Sequence, residues 1–224
     1  MPSNDPFSSC PQGTVRSKQL HFLSSCPWVL IYLFLHLGIS SALVLPLVPA
    51  EQALPSCVIL DLDHTIWNRP RFRKALPFVP LASGSQGVQA ASGEILDLFP
   101  NVREILPWLD RNDIQIGFVS STHRPQWAQY FLENLRIQEE DKTVLEFCKD
   151  KSSICIQDGP KVQHIRKLSR ALQVKTEEML FFDDNFRQIQ RANQSGIVSV
   201  HCPKGLCWER LEQGLDVFAR RKNK

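Results

Sequence analysis

Two aspartates two positions apart are the residues in this chain with the clearest chemical potential. Asp61 and Asp63 follow residues 57–60, a short apolar run of the kind that forms a buried strand in a parallel sheet. The carboxyl end of such a strand is where open α/β sheets bind their ligands. Because two neighbouring carboxylates repel each other at neutral pH, we expect a divalent cation between them. Mg²⁺ is the expected ion, since it favours carboxylates together with water and phosphate oxygens.

A second acidic pair repeats this pattern further along the chain. Asp183 and Asp184 come directly after residues 179–182, which we predict to be another buried strand. A Mg²⁺ site needs oxygen donors from separate segments, so the repetition favours a metal site at one edge of the sheet. An Asp-x-Asp pair alone is more often an ordinary surface feature after a strand, and the two apolar runs weaken that alternative.

Polar residues that suit a phosphate group occupy two other junctions between predicted elements. Ser120 and Ser121 end the predicted strand at residues 114–119, and Lys161 opens a predicted helix. A lysine at a helix N-terminus is unfavourable for the helix dipole unless an anion lies nearby. A serine after a strand is common in turns, so these positions gain meaning only from the aspartates.

The motif Asp-Leu-Asp-His-Thr at residues 61–65 resembles motif I of the haloacid-dehalogenase superfamily. In that superfamily the first Asp attacks phosphorus to form an aspartyl-phosphate, and the second is the general acid and base. Three further segments make the resemblance specific to one family within the superfamily: Gly-Pro-Lys at 159–161, Phe-Phe-Asp-Asp-Asn at 181–185 and the ending at 211–219. Over residues 56–221 the chain resembles the eukaryotic magnesium-dependent phosphatase family, a capless branch of the superfamily.

The resemblance implies a role for each candidate residue. Asp61 is implied as the nucleophile and a Mg²⁺ ligand, and Asp63 as the acid/base and a ligand through its backbone carbonyl. Asp184 is implied as the third protein ligand, with Asp183 as its neighbour in the metal site. Four residues are implied at the phosphate and substrate: Leu62, Ser120, Ser121 and Lys161. His64 and Ser121 depart from the family, which commonly has Tyr and Arg at these two positions.

The apolar segments predict an α/β fold: a Rossmann-like, three-layer α/β/α parallel sheet of the haloacid-dehalogenase type, without a large cap domain. Residues 68–95 lack helical or strand periodicity and indicate a flap or β-hairpin with a mobile tip, because about twenty-five such residues cannot build a core. We expect Asn101 to cap the helix that follows and Pro107 to kink or shorten it. Predicted strands lie at 57–60, 114–119, Ile154–Ile156, 179–182 and 197–201, and predicted helices contain Val102, Trp127, Lys161, Gln188 and Trp208.

The front of the chain differs from the phosphatase-like domain, which we place at residues 55–224. Residues 1–19 are a polar leader, and residues 20–50 contain no charged residue and are long enough to cross a bilayer as an apolar helix. Arg16 and Lys18 precede this segment, as in a signal anchor or a signal peptide. We therefore expect association with a membrane or the secretory pathway. The seven cysteines show no disulfide or metal pattern, which favours the alternative of a cytoplasmic protein.

Composition and the family resemblance limit which partners are expected. The formal net charge is only +3 and no basic stripe is apparent, which argues against a nucleic-acid partner. We expect a monomeric catalytic domain acting on a phosphorylated protein or a small phosphomonoester. The resemblance implies protein phosphotyrosine and phosphorylated sugars such as fructosamine 6-phosphate as substrates. A protein Ser/Thr phosphatase of the carboxy-terminal-domain type and a catalytically inactive, membrane-tethered binding module are the alternatives.

Overall fold

A computed structural model describes residues 53–68, 78–80 and 87–223 of the 224-residue chain. Its α-helices are α1 (Val102–Arg111), α2 (Pro125–Asn134), α3 (Lys161–Leu172), α4 (Phe186–Gln194) and α5 (Trp208–Lys222). Its strands are β1 (Cys57–Asp61), β2 (Phe78–Pro80), β3 (Val88–Ala90), β4 (Ile95–Leu96), β5 (Gln115–Ser120), β6 (Arg136–Ile137), β7 (Lys142–Thr143), β8 (Ile154–Ile156), β9 (Met179–Asp183) and β10 (Val198–His201).

Five parallel strands form the central sheet in the order β10-β9-β1-β5-β8. β1 is the middle strand, and all of its residues are buried, as its apolar and β-branched run predicts. The chain adds β5 and β8 on one side of β1, then returns to add β9 and β10 on the other side. The order of strands therefore reverses between β1 and β9, which is where open parallel sheets bind their ligands.

Helices cover both faces of this sheet. Val58 and Leu60 point to one face, where they share a core with α1, α2 and α5. Cys57 and Ile59 point to the other face, where α3 and α4 pack. This alternation follows from the two-residue period of a strand. The predicted three-layer arrangement with a parallel sheet is confirmed.

A small antiparallel sheet, β2-β3-β4, occupies the region between β1 and α1. Val88 and Leu96 from this sheet are buried in the same core as Trp67. The predicted β-hairpin is confirmed by β2 and β3, and β4 adds a third strand too short to give a sequence signal. The expected mobile tip falls at residues outside those the structure describes.

The expectation that Pro107 shortens α1 was wrong, and Asn101 occupies the predicted cap position without a capping hydrogen bond. The helix runs through Pro107 and ends at Arg111, so the proline does not shorten it. Asn101 precedes the helix, but its backbone is already helical and its side chain makes no capping hydrogen bond. An interior proline costs about 3 kcal/mol, whereas each large apolar side chain gains about 1.5–3 kcal/mol on burial. Burial of four apolar residues on this helix outweighs the proline: Val102, Ile105, Leu106 and Leu109.

The polar leader (1–19) and the apolar segment (20–50), with its expected helix, lie outside the described residues. Within the described part of the chain, no helix combines the length and apolar character needed to cross a membrane. The cysteines that the structure describes are all free thiols, including Cys202 and Cys207.

Candidate active site

Asp61 lies at the centre of a buried charged cluster. It is the last residue of β1, and only 3% of its surface is exposed. The ammonium of Lys161 lies 2.5 Å from its Oδ1, and the hydroxyl of Thr65 donates to its Oδ2 at 3.1 Å. Lys161 reaches the carboxylate because it is the first residue of α3, which begins at the same edge of the sheet. Both oxygens of Asp61 are therefore held in fixed directions.

Lys161 also binds the carboxylate at the end of the neighbouring strand. Asp183 is the last residue of β9 and is fully buried. Its Oδ2 lies 2.7 Å from the Lys161 ammonium, and its Oδ1 accepts the backbone N–H of Asn185 at 2.7 Å. A single lysine thus bridges the ends of β1 and β9, at the point where the strand order reverses.

Burial dominates the electrostatics of these three groups. It raises the pKa of Asp61 to about 7; the charge of Asp183 adds to this rise, and that of Lys161 opposes it. It also raises the pKa of Asp183. Burial lowers the pKa of Lys161, but the two aspartates outweigh it, so the net shift is upward and the lysine stays charged. With both carboxylates ionised the cluster carries one excess negative charge, which a bound cation would neutralise.

A third carboxylate makes this cluster suitable for a metal ion. Asp61, Asp183 and Asp184 each offer a carboxylate oxygen, and these three atoms lie within 4.8 Å of one another. All the donors are hard oxygens, which Mg²⁺ prefers over the softer transition metals. Asp61 and Asp183 both have partners on each oxygen, so their hydrogen bonds do not rank them as direct ligands.

Thr65 links the two acidic segments, and the sequence interpretation gave it no role. It is fully buried, donates to Asp61 and accepts the backbone N–H of Asp184 at 3.0 Å. On the far side, the imidazole Nε2 of His201 contacts the Asp184 carbonyl oxygen at 2.8 Å. The available signal for Thr65 was its place in the motif, four residues after Asp61. No sequence signal indicated His201, because its contact depends on the pairing of β10 with β9.

Asp63 lies beside the carboxylate cluster that the described residues form, and not within it. The indole N–H of Trp67 donates to Asp63 Oδ1 at 2.9 Å, and the residue is half-buried. This separation suits a carboxylate that exchanges protons more than one that coordinates a metal. The side chain of Leu62 is fully buried in the core, so only its backbone is available to a phosphate.

The two predicted serines have different environments. Ser120 ends β5 beside β1 and is almost fully buried, one residue beyond Val119, which pairs with Asp61. The hydroxyl of Ser121 donates to the carbonyl oxygen of Gly159 at 2.7 Å. Ser121 therefore ties the loop after β5 to the loop that precedes Lys161.

The outer rim of the site carries exposed basic side chains. His64 is exposed and has a positive φ of 60°. The guanidinium of Arg124 lies 4.1 Å from the centre of the Trp127 ring, which holds it by a cation–π contact. His123 lies 3.6 Å from Asp158, across the same two loops that Ser121 joins.

Comparison with known proteins gives consistent matches over the region that contains this site. Residues 53–221 match the model of a family described as Acid Phosphatase. The chain is 27% identical to human Magnesium-dependent phosphatase 1 over 168 residues, covering 75% of this chain and 89% of the relative. It is 25% identical to a HAD-like hydrolase superfamily protein of Schizosaccharomyces pombe over 138 residues, covering 59% and 77%.

A solved structure with a similar backbone is that of a HAD-superfamily hydrolase from Ehrlichia chaffeensis. The two share 12% sequence identity with a TM-score of 0.45, and the match covers 75% of this chain and 97% of that one.

Proposed function

Because the chain belongs to the Acid Phosphatase family, we propose that it is a magnesium-dependent phosphatase that cleaves phosphomonoesters through an aspartyl-phosphate. One observation carries the proposal: Lys161 bridges Asp61 and Asp183 at the ends of two adjacent parallel strands, with Asp184 beside them. This cluster supplies a nucleophile, a cation and metal ligands at one point. Human Magnesium-dependent phosphatase 1, which the chain resembles, carries magnesium dependence in its name.

Asp61 is the proposed nucleophile. One of its oxygens attacks phosphorus in line, forming the new P–O bond as the bond to the leaving alcohol breaks. Lys161 favours the ionised form of Asp61 and, with Thr65, fixes the direction of the carboxylate before substrate binds. Such fixed positioning accounts for much of the catalysis in phosphoryl transfer, because little covalent chemistry is required of the protein.

Asp63 is the proposed general acid and base. It protonates the departing alcohol in the first step, then takes a proton from the water that cleaves the aspartyl-phosphate. The Trp67 indole orients its carboxylate through the hydrogen bond to Oδ1. Asp63 also lies outside the buried cluster, so it can exchange its proton with substrate and water.

The remaining candidate residues would bind charge. Asp61, Asp184 and the backbone carbonyl of Asp63, with Asp183 adjacent, would hold Mg²⁺, which neutralises negative charge on the transferring phosphoryl group when bound. Lys161 would add a second positive charge. The Ser120 hydroxyl and the Leu62 backbone would donate to phosphate oxygens. Ser121 would affect substrate binding indirectly, because its hydrogen bond to Gly159 joins the loop after β5 to the loop before Lys161.

Protein phosphotyrosine and small sugar phosphates are the proposed substrates. The described residues between β1 and α1 form only the small sheet β2-β3-β4; we infer an open site from its small size, which favours a phosphorylated side chain on a protein surface. A Ser/Thr phosphatase of the carboxy-terminal-domain type would suit the same open site. A catalytically inactive binding module fits less well, because the candidate nucleophile, acid/base, lysine and metal ligands are all present. We further propose that residues 20–50 attach the protein to a membrane.

The test is a substrate panel on the full-length chain with and without Mg²⁺. The panel contains p-nitrophenyl phosphate, phosphotyrosine and phosphoserine peptides, and fructosamine 6-phosphate. We expect phosphate release from at least one substrate, and loss of release on adding chelator. Asp61→Asn is the control for contaminating phosphatases. Failure to release phosphate from any member of the panel at saturating Mg²⁺ would overturn the proposed function.

A further inference from the structure

Helices α3 and α4 together present a strongly basic surface. They pack against each other on the same face of the sheet, and neither contains an Asp or Glu residue. The basic surface consists of five exposed side chains on these helices: Arg166, Lys167, Arg170, Arg187 and Arg191. The buried residues of α3 and α4, such as Ile165 and Ile189, face the sheet, so the cations point away from it.

These cations have no acidic partners in the described part of the chain, where none of the five forms an ion pair. The helices on the other face differ. On α1, Arg103 pairs with Asp97 and Arg111 with Glu140, and α5 mixes acidic with basic residues along its length. The whole chain has 26 Lys and Arg residues against 23 Asp and Glu residues. The five cations on α3 and α4, which contain no acidic residue, are therefore a local excess of positive charge larger than the net charge of +3 of the whole chain.

The basic surface begins at the candidate active site. Both helices start at the carboxyl edge of the sheet, because Lys161 opens α3 and α4 begins two residues after Asp184. Arg187 lies in the first turn of α4. At a helical rise of about 1.5 Å per residue, Arg166 lies about 8 Å and Arg170 about 14 Å along α3 from Lys161. The positive ends of both helix dipoles point toward the site and add to its attraction for anions.

We propose that the basic surface binds an acidic segment of a phosphoprotein substrate, next to the phosphorylated residue; this inference rests on the proposed phosphatase activity. An extended peptide spans about 3.3 Å per residue, so acidic side chains two to five residues from the phosphorylated one reach these cations. A small phosphomonoester held at Asp61 does not extend that far. The surface would therefore select among protein substrates without changing the chemical step.

We expect the basic surface to speed the association of acidic phosphopeptides with the protein, and we expect added salt to remove this effect. Each exposed ion pair is weak on its own, but a patch of one sign beside a site raises the local concentration of an oppositely charged partner. We expect the five cations to raise kcat/KM for an acidic phosphopeptide by about tenfold at low ionic strength. Because exposed charges are screened within about 10 Å at 0.1 M salt, the gain should disappear at about 0.5 M NaCl.

The experiment compares matched phosphopeptides on the full-length chain with Mg²⁺. Each pair has the same phosphorylated residue, phosphotyrosine or phosphoserine, flanked either by Asp and Glu or by Asn and Gln. The variant R166Q/K167Q/R170Q should lower the acidic-to-neutral ratio of kcat/KM clearly below the wild-type ratio, with Arg187 and Arg191 retaining part of the effect, while kcat/KM for p-nitrophenyl phosphate changes by less than about twofold. The control R210Q/R220Q/R221Q removes three charges from α5 on the opposite face and should leave the ratio unchanged.

Several outcomes would overturn the inference. It is wrong if the wild-type ratio is one, if the α5 control lowers the ratio as much as the α3 variant, or if only p-nitrophenyl phosphate is hydrolysed. It is also wrong if the α3 variant keeps the peptide ratio but loses binding to phosphatidylserine vesicles that the α5 control retains, because the surface would then bind a membrane. Failure to release phosphate from any peptide and from p-nitrophenyl phosphate overturns the proposed function itself, and this inference with it.

Discussion

At the scale of single residues, the site depends on one lysine shared between two buried aspartates. Lys161 forms ion pairs with both Asp61 and Asp183, so removing the lysine leaves two carboxylates without a counter-charge away from water. Thr65 then joins Asp61 to the backbone of Asp184. The same contacts thus serve two purposes, since they hold the ends of β1 and β9 together and they orient the proposed nucleophile. Substitutions of these residues should show the structural role as a loss of stability and the catalytic role as a loss of rate.

Amide substitutions of the two aspartates in the first motif should affect different steps of the reaction. Asp61→Asn is expected to abolish both phosphate release and covalent capture of the phosphoryl group, because an amide is a very poor nucleophile. Asp63→Asn should slow turnover by at least about a hundredfold, the scale of a lost general acid and base. Steady-state kinetics and intact-protein mass spectrometry measure the two effects, and circular dichroism checks the fold. Normal activity in the Asp61→Asn protein would rule out the aspartyl-phosphate mechanism.

Lys161→Met should lower stability as well as activity. Methionine fills a similar volume but leaves two buried carboxylates without a counter-charge, which costs about 3–5 kcal/mol when one partner of a buried pair is lost. Chemical denaturation in chelator measures the free energy of unfolding without a contribution from bound metal. The double variant Lys161→Met/Asp183→Asn should recover part of the loss, because one of the unpaired charges is then gone. Equal stability of the single variant and the wild type would contradict the structure.

The adjacent aspartates at the end of β9 should respond differently to amide substitution. Asp184→Asn is expected to raise the Mg²⁺ concentration needed for half-maximal activity with little change in stability, because its carboxylate is half-buried beside the cluster. Asp183→Asn should lower stability more, because it removes one of the two buried ion pairs of Lys161. Magnesium titrations of activity and denaturation in chelator measure the two effects. The opposite ranking would assign direct metal ligation to Asp183.

At the scale of elements, packing against the sheet decides what each helix tolerates. α5 illustrates this through Gly214, which lies in the helix interior and is buried. A Cβ at this position would meet Phe182 Cζ at 2.8 Å and Leu180 Cδ2 at 3.1 Å. The glycine therefore allows α5 to approach β9, the strand that carries Asp183 at its end.

Gly214→Ala should destabilise the protein, although alanine is the better helix former. Helix propensity alone predicts a gain of about 1 kcal/mol, whereas overpacking a core of this kind costs about 1–3 kcal/mol. We expect the clash to dominate and the thermal unfolding midpoint to fall. Gln213→Ala, at the exposed neighbouring position, is the matched control and should leave the midpoint nearly unchanged. A rise in the midpoint for Gly214→Ala would show that α5 can move away from β9 at little cost.

At the scale of the whole molecule, the phosphatase domain is one part of a chain that also carries the apolar segment at residues 20–50. Thirty-odd uncharged residues are costly to leave in water, and the described domain already covers both faces of its sheet with its own helices. This is the basis for proposing membrane attachment.

Fractionation of cells that express the full-length chain should find the protein with membranes. A chain that lacks residues 20–50 should move to the soluble fraction, because the segment with enough apolar length to cross a bilayer is gone. Carbonate extraction separates an embedded protein from one that is only adsorbed. Equal recovery of both chains in the soluble fraction would show that the segment does not act as an anchor.

The sequence determined the core strands, the acidic residues at their ends and the lysine that opens α3, because these features are local. A run such as residues 57–60 is buried on both faces in any parallel sheet, and Asp61 must then lie at its end. The tertiary structure alone decided which strands are neighbours. It placed Thr65 between Asp61 and Asp184, and set Lys161 between two carboxylates that are 122 positions apart in the chain.

The basic surface shows the same division. Its residues occur in two groups, on α3 and α4, separated in the sequence by β9 and its acidic end, so no basic stripe is visible along the chain. Folding places the two helices side by side and turns their apolar residues toward the sheet, which gathers the cations on one face. A sequence pattern shows which residues share a face within one helix or strand. Charges contributed by separate elements sum only when the fold brings those elements together.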